Sequence, residues 1–156
     1  TTVHSFTTDQ KLHDTYHHDL RRARAATQSI VPTTTGAAKA LTKIFPDLNE
    51  VIGGCGIRVP VPDGSLTDLS CVVKEKASIE EINSLFMQEA EGRLKGILEY
   101  TNLPLVSIDI IGNSHSCIFD SELTSSIGKM VKVVGWYDNE WGYCNRLKDL
   151  ILNISK

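Results

Sequence analysis

Hydrophobic and polar positions alternate at the start of the chain, and this period of two predicts a strand over residues 1–8. Successive side chains of a strand point to opposite faces, so His4 faces away from the core if Val3 faces it. Runs rich in β-branched residues predict five further strands, over 51–60, 66–74, 105–111, 116–119 and 130–137. Pro62, Asp63 and Gly64 suit a tight turn after the first of these runs.

Apolar residues spaced three and four apart predict three helices. The first has Thr35 as its N-cap and Pro46 as its stop. The second runs to about residue 92 and begins with a capping box of Ser78 and Glu81. The third closes the chain over 139–154, with an apolar stripe of Trp141, Cys144, Leu147, Ile151 and Ile154.

The order of these elements indicates the fold class. Strands are bunched and helices separate them irregularly, so strict alternation of strand and helix fails. The sequence predicts an α+β fold, with a largely antiparallel mixed sheet and helices packed on one face. Its 156 residues suit a single domain over 1–156. No GxGxxG motif follows a strand, so the chain carries no dinucleotide-binding motif of its own.

Composition excludes several classes of partner. Sixteen basic and nineteen acidic residues leave a formal net charge of -3, which argues against nucleic acid or an anionic membrane as a partner. Four widely spaced cysteines show no metal-ligand spacing, so no metal site is expected. No segment has the pattern of a membrane span or a signal peptide, and cytoplasmic localisation is the default expectation.

Candidate chemistry begins at His4, a possible acid/base with Thr7 and Asp9 close behind it in sequence. A histidine in a strand is more often structural, so this hypothesis needs support from its surroundings. A long polar loop follows over 9–26, and long ordered loops are more often functional than accidental. The loop contains Arg21, Arg22 and Arg24, whose guanidinium groups suit phosphate. Alternatively, these arginines pair with carboxylates such as Asp14 and Asp19 of the same loop.

Further polar signals lie at element ends. Thr35 and Gly36 stand where a helix begins and its unpaired N–H groups suit an anion, although an ordinary threonine cap explains them as well. Arg58 ends a predicted strand. Asn139 could cap the last helix or present its amide to a ligand. Together these signals favour a small phosphorylated ligand.

Several segments resemble the catalytic domain of the phosphorylating glyceraldehyde-3-phosphate dehydrogenase family. They span nearly the whole chain, and two of them, PTTTGAAKA and WYDNEWGY, are individually specific. The matching segments are TTVHSFTTDQ, DLRRARAATQSIVPTTTGAAKA, IRVPVPDGSLTDLS, LKGILEYTNLPLVSIDIIGNSHSCIFDS and KVVGWYDNEWGYCNR.

The resemblance implies a role for the residues around His4. This histidine would be the acid/base that pairs with a cysteine thiolate and accepts a proton as the substrate loses hydride to NAD. Thr7, Asp9 and Arg58 would form or support the site for the phosphate of glyceraldehyde 3-phosphate.

The resemblance also implies a second anion site and a cofactor contact. Arg21, Thr35 and Gly36 would hold inorganic phosphate, which attacks a cysteine thioester to form 1,3-bisphosphoglycerate. Asn139 would orient the nicotinamide of NAD, with NADP kept open as an alternative. The loop over 9–26 would pack at the centre of a homotetramer.

Two departures from the family pattern stand out. The family's nucleophile lies in an SCTTNC-type motif upstream of the histidine strand, and none of the four cysteines here has that context. The N-terminal dinucleotide-binding domain, which binds most of the cofactor, is also absent from this sequence. The chain is therefore expected to be a fragment that is inactive by itself.

Two alternatives remain open. One is erythrose-4-phosphate dehydrogenase, a relative that shares the arginine-rich loop and the histidine strand. The other is a non-enzymatic role, in which a separately folded domain binds phosphate ligands or assembles subunits.

Overall fold

The alternating residues at the start of the chain form a strand in the computed structural model, which describes residues 1–155 apart from the side chains of 38 and 39. This strand, β1 (Thr2–Ser5), is shorter than the predicted one. Contacts divide the chain into two units, Thr1–Pro62 and Asp63–Lys156, and β1 belongs to the first. The single domain predicted over 1–156 stays a prediction.

Three short strands form the sheet of the first unit. Strand β3 (Gly56–Val59) lies between β2 (Val31–Thr33), which is antiparallel to it, and β1, which is parallel to it. The prediction of a strand over 51–60 holds only for its last part, because Gly53 and Gly54 interrupt the run. β2 was not predicted because it contains Pro32, which a strand at the edge of a sheet tolerates.

The first helix, α1 (Ala37–Ile44), ends two residues before Pro46, and a 3₁₀ turn over Pro46–Leu48 follows it. Its N-cap is Gly36 rather than the predicted Thr35. Thr35 precedes this N-cap by one residue, and its hydroxyl still accepts a hydrogen bond from the Ala37 N–H at 3.2 Å. It therefore satisfies one of the first N–H groups of the helix.

Four strands form the sheet of the second unit, in the order β4, β7, β6, β5. The central strand β7 is antiparallel to β4 and β6, and β5 runs parallel to β6. The bounds of the four strands are Ser65–Val72 for β4, Leu98–Thr101 for β5, Cys117–Ile127 for β6 and Met130–Tyr137 for β7. β7 confirms the predicted strand over 130–137.

Two strand predictions in this unit need correction. The strand over 105–111 was wrong: the segment forms a 3₁₀ turn over Ser107–Ile110, where the Asp109 carboxylate accepts the Val106 N–H at 2.8 Å. The strand predicted over 116–119 continues to Ile127. This longer extent was not predicted because many residues after Phe119 are polar. Ser121 is buried there, and its hydroxyl donates to the Thr101 carbonyl at 2.8 Å, which offsets the cost of burying a polar group.

Helix α2 (Ile79–Glu91) confirms the predicted capping box. The Ser78 hydroxyl accepts the Glu81 N–H at 3.1 Å, and the Glu81 carboxylate accepts the Ser78 N–H at 2.7 Å. Two orphan N–H groups are thereby satisfied reciprocally, which defines where the helix begins.

The core of the second unit lies between α2 and its sheet. Phe86 of α2 stacks on Phe119 of β6, with ring centroids 4.0 Å apart. Ile82, Leu98 and Val131 complete the buried cluster with Phe119. The sheets are mixed, and with three helices in the described chain the structure confirms the α+β class.

Helix α3 (Trp141–Ile154) begins two residues later than predicted. Its predicted apolar stripe is exposed in this chain: Trp141 and Ile154 are 51% and 76% exposed. Gly142 is buried in this helix. A larger residue would not fit there, because a Cβ would lie 2.8 Å from the His115 carbonyl oxygen. Within residues 1–155, no helix has the length and apolar character needed to cross a membrane.

Replacing Ser78 tests the cap. Ser78→Ala should lower the free energy of unfolding by about 1 kcal/mol, since the Glu81 N–H loses its acceptor. Urea denaturation measures it. The matched control is Ser84→Ala, at an exposed position of the same helix, which should change stability by no more than about 0.5 kcal/mol. Equal effects of the two changes would show that the cap does not stabilise α2.

Candidate active site

The pairing of β1 with β3 brings His4 and Arg58 together. The two residues are partners in the parallel register although 54 positions separate them in sequence. Nη1 of Arg58 lies 2.8 Å from Nδ1 of His4 and donates to the Ser5 carbonyl oxygen at 3.0 Å. Both side chains are half-buried. Two predicted site residues therefore form one cluster.

Two neighbours of the His4 ring favour opposite tautomers. Arg58 can only donate, so its contact requires a lone pair on Nδ1 and places the proton of a neutral ring on Nε2. The Ser5 carbonyl oxygen, 2.7 Å from Nδ1, can only accept, so it favours a proton on Nδ1 and places the lone pair of a neutral ring on Nε2. The position of the guanidinium thus influences which nitrogen of His4 is basic.

Thr7 and Asp9 lie directly after β1. The N–H and the hydroxyl of Thr7 both donate to Oε1 of Gln10, at 2.9 Å and 3.3 Å. The Asp9 carboxylate forms an ion pair with Arg22, and Nε2 of His17 lies 3.6 Å from its other oxygen. Because a carboxylate repels phosphate, Asp9 can serve a phosphate site only indirectly, by holding Arg22.

Arg22 anchors this loop, a role that the sequence did not distinguish from those of Arg21 and Arg24. Its guanidinium contacts Asp9, the Thr33 hydroxyl and Asp19, with Nε 3.4 Å from an Asp19 oxygen. It therefore ties the loop to β2. The mixture of acidic and basic residues along 9–24 predicted ion pairs within the loop, but it did not identify which arginine would form them.

Arg24 also follows the ion-pair alternative. Its Nε lies 3.2 Å from the Asp14 carboxylate, which also accepts the Ala25 N–H at 2.7 Å. The Ala25 hydrogen bond first, and the Arg24 hydrogen bond second, hold the pKa of Asp14 below its ordinary value. The carboxylate of Asp14 is thus well suited to remain ionised within the loop as the partner of Arg24.

Arg21 differs from its two neighbours. Its backbone N–H donates to Asp19 at 2.9 Å, whereas its side chain has no recorded carboxylate partner among the described residues. The side chain lines a cavity of about 400 Å³ together with Arg24 and the segment 29–32. Thr35 and Gly36 are not part of that lining, so the structure does not gather the three residues predicted for inorganic phosphate around this cavity.

Gly36 leaves the backbone open at the start of α1. A Cβ built there would meet no atom within 4 Å. A ligand oxygen could therefore approach this N-terminus closely, although the Ala37 N–H already donates to Thr35.

Asn139 lies in the second unit, just before α3. Its Oδ1 accepts a hydrogen bond from the buried hydroxyl of Ser65 at 2.8 Å, which orients the amide. The N-cap of α3 is Glu140, and Asp138 supplies the acceptor at this end of the helix: its carboxylate accepts the N–H groups of Glu140 and Trp141 at 2.9 Å and 2.7 Å. Of the two alternatives for Asn139, capping the helix is therefore wrong, and contact with a ligand stays a prediction.

A family comparison matches residues 1–139 to the model described as glyceraldehyde 3-phosphate dehydrogenase, C-terminal domain. The match includes the His4 strand, the arginine-rich loop and Asn139. The chain belongs to this family. Within residues 1–155 no group of three or more His, Cys, Asp or Glu side chains is arranged to hold a metal ion.

Curated relatives agree with the family. The chain is 56% identical over all 156 residues to a glyceraldehyde-3-phosphate dehydrogenase of Mycobacterium avium, and 55% identical over the same length to that of Mycobacterium tuberculosis strain H37Rv. It is 53% identical over 152 residues, 97% of the chain, to glyceraldehyde-3-phosphate dehydrogenase 1 of Streptomyces avermitilis. The chain spans 46% of the length of each of these three proteins.

The cysteines of this family member differ in their surroundings. Cys55, Cys71 and Cys144 are exposed. Cys117 lies largely buried in β6, and burial raises the pKa of its thiol from 9.0 to about 11. A thiol with so high a pKa is a poor nucleophile near neutral pH.

Thiol labelling tests this difference. At pH 8 the thiolate fraction of Cys117 should be about a hundredfold lower than that of a thiol with the ordinary pKa, so iodoacetamide should label it far more slowly than Cys71. Peptide mass spectrometry after timed quenching measures each rate, and denaturant should make the two rates equal. Equal rates in the folded protein would contradict the burial of Cys117.

Proposed function

We propose that this chain is the catalytic domain of a glycolytic oxidoreductase that converts glyceraldehyde 3-phosphate, NAD and inorganic phosphate to 1,3-bisphosphoglycerate. The nucleophilic cysteine and the dinucleotide-binding domain belong, in this proposal, to a part of the protein outside this sequence. Family membership supports both statements, as does the fact that the chain spans 46% of the length of its curated relative from Mycobacterium avium. The single observation in the structure that carries the proposal is the His4–Arg58 cluster, which joins an imidazole to a cation.

His4 is proposed to act as the acid/base. With the Nδ1 proton donated to the Ser5 carbonyl, Nε2 has a lone pair that can take a proton from a thiol or from the hydroxyl formed when the thiolate adds to the aldehyde. NAD, when bound, supplies the hydride acceptor. Asn139 is proposed to contact its nicotinamide, and the bond from Ser65 supports this because it orients the amide.

Two anion sites are also proposed. Arg58, with Thr7, would receive the phosphate of the aldehyde substrate, and Asp9 would support the site through Arg22. Arg21 would attract inorganic phosphate, with Thr35 and the open backbone at Gly36 as further ligands. Guanidinium groups suit both because phosphate oxygens accept their paired N–H donors.

Assembly as a homotetramer is also proposed. The loop after β1 exposes large apolar side chains, among them Leu12, Tyr16 and Leu20, and Tyr16 is 87% accessible. Surfaces of this kind mark contacts with another protein surface when they are contiguous. The exposed stripe of α3 supports a second such contact.

Replacing His4 tests the proposed chemistry in the full-length protein. His4→Asn should lower kcat by about a hundredfold or more, because an amide cannot take the proton. NADH formation with glyceraldehyde 3-phosphate measures the rate. His13→Asn, at an exposed position of the loop, is the matched control and should leave kcat unchanged. Similar rates for His4→Asn and the wild type would contradict the acid/base role.

The choice of aldehyde separates this proposal from erythrose-4-phosphate dehydrogenase. We expect the wild-type protein to have the higher kcat/KM with glyceraldehyde 3-phosphate. A higher value with erythrose 4-phosphate would favour the alternative enzyme.

Phosphate binding by the 156-residue chain tests the Arg21 site and addresses the non-enzymatic alternative. Phosphate should raise the melting temperature by mass action, and Arg21→Gln should reduce the shift. Chloride at equal ionic strength and Arg93→Gln, on the exposed surface of the second unit, are the controls. Equal shifts with phosphate and chloride would contradict a preformed site. A native polypeptide near 17.2 kDa rather than a longer one would favour the non-enzymatic role.

A further inference from the structure

Gln10 is a buried amide in the turn that follows β1. It is 3% exposed, and its backbone N–H donates to the Thr7 carbonyl at 2.9 Å. Its Oε1 accepts two hydrogen bonds from Thr7, one from the backbone N–H and one from the hydroxyl. Gln10 thus contacts Thr7 through both its main chain and its side chain.

The orientation of this amide follows from its partners. The Thr7 N–H can only donate, so the oxygen of the Gln10 amide, and not its nitrogen, must face Thr7. Nε2 then points away from Thr7, and it is shielded from solvent without a hydrogen-bond partner among the described residues. A buried donor without an acceptor destabilises a fold.

An apolar side chain of similar length would fill this position without that unsatisfied donor. The presence of glutamine is therefore better explained by what its oxygen does for Thr7 than by stability, since departures from full hydrogen bonding gather at functional sites. We propose that Gln10 is a positioning residue that presents the Thr7 hydroxyl to the phosphate of the substrate. This inference rests on the proposed function of Thr7 and extends it to a residue that has no assigned role.

The two bonds to Oε1 have different lengths, and this difference suits the proposed role. The backbone bond, at 2.9 Å, holds the turn, whereas the hydroxyl bond, at 3.3 Å, is the longer and weaker one. The Thr7 hydroxyl can therefore rotate its proton from Oε1 to a phosphate oxygen, which breaks only the weaker of the two bonds. The bond from the Thr7 N–H to Oε1 remains and still holds the turn that carries the side chain.

The test uses Gln10→Met in the full-length protein, because methionine keeps length and burial and removes the acceptor oxygen. KM for glyceraldehyde 3-phosphate should rise about tenfold with kcat nearly unchanged, the signature of lost binding to a non-reacting group. With glyceraldehyde, which lacks the phosphate, kcat/KM should change by less than about twofold. The matched control, Gln88→Met on the exposed surface of α2, should leave both substrates unaffected.

A second background shows whether Gln10 acts through Thr7. In Thr7→Val, which lacks the hydroxyl, adding Gln10→Met should change KM by less than about twofold. Equal losses with both aldehydes, or a full additional loss in the Thr7→Val background, would overturn the proposal and leave Gln10 a structural role only.

Two measurements cover the remaining outcomes. If Gln10→Met does not fold, Gln10→Leu removes the same acceptor oxygen with a shorter apolar side chain, and the loss should again be confined to the phosphorylated aldehyde. If the wild type oxidises neither aldehyde, the proposed function fails. Calorimetry with glycerol 3-phosphate then still decides the role of Gln10, with binding weakened in Gln10→Met and unchanged in Gln88→Met; equal binding by all three proteins would overturn the role.

Discussion

The parallel pairing of β1 with β3 is the constraint on which the candidate active site depends. It places His4 and Arg58 at the same level of the sheet across 54 positions of sequence. A shift of one residue in this register would turn the partner of His4 to the opposite face. The carbonyl of Ser5, the next residue of β1, also lies beside the ring, so the backbone of β1 and the side chain of Arg58 in β3 compete for one nitrogen. The chemistry available to His4 thus follows from strand register.

Ion pairs hold the conformation of the loop after β1. Arg22 and Arg24 are satisfied by carboxylates of the same loop, and Arg22 also reaches Thr33 of β2. These contacts order a segment that has no regular secondary structure over its length. Arg21 lies outside this network and faces a cavity, which is why it remains the best candidate of the three for an anion. Gln10 completes the picture at the beginning of the loop, where its oxygen holds Thr7.

Local signals were sufficient wherever one short segment determined the structure. The capping box of Ser78 and Glu81 was visible in sequence because both partners lie within one helical turn. β7 was predicted with its full bounds because β-branched and aromatic residues, Val131, Val133, Val134, Trp136 and Tyr137, favour a strand along most of its length. Predictions failed where a distant partner decides. β5 was not predicted because its pairing with β6 is what makes it a strand. The segment 105–111 failed for a local reason instead: it is apolar enough for a strand, but the Asp109 carboxylate accepts the Val106 N–H and the segment forms a 3₁₀ turn.

For the site, the sequence by itself determined the family, the candidate histidine and the residue types able to bind phosphate. Segments such as PTTTGAAKA are specific as strings, and their meaning does not require coordinates. Only the tertiary structure decided which arginine meets His4, which arginines form ion pairs, and that Asp138 rather than Asn139 accepts the N–H groups at the start of α3. It also showed the amide of Gln10 buried against Thr7. These outcomes depend on distances and donor directions between side chains, and spacing along the chain does not define them.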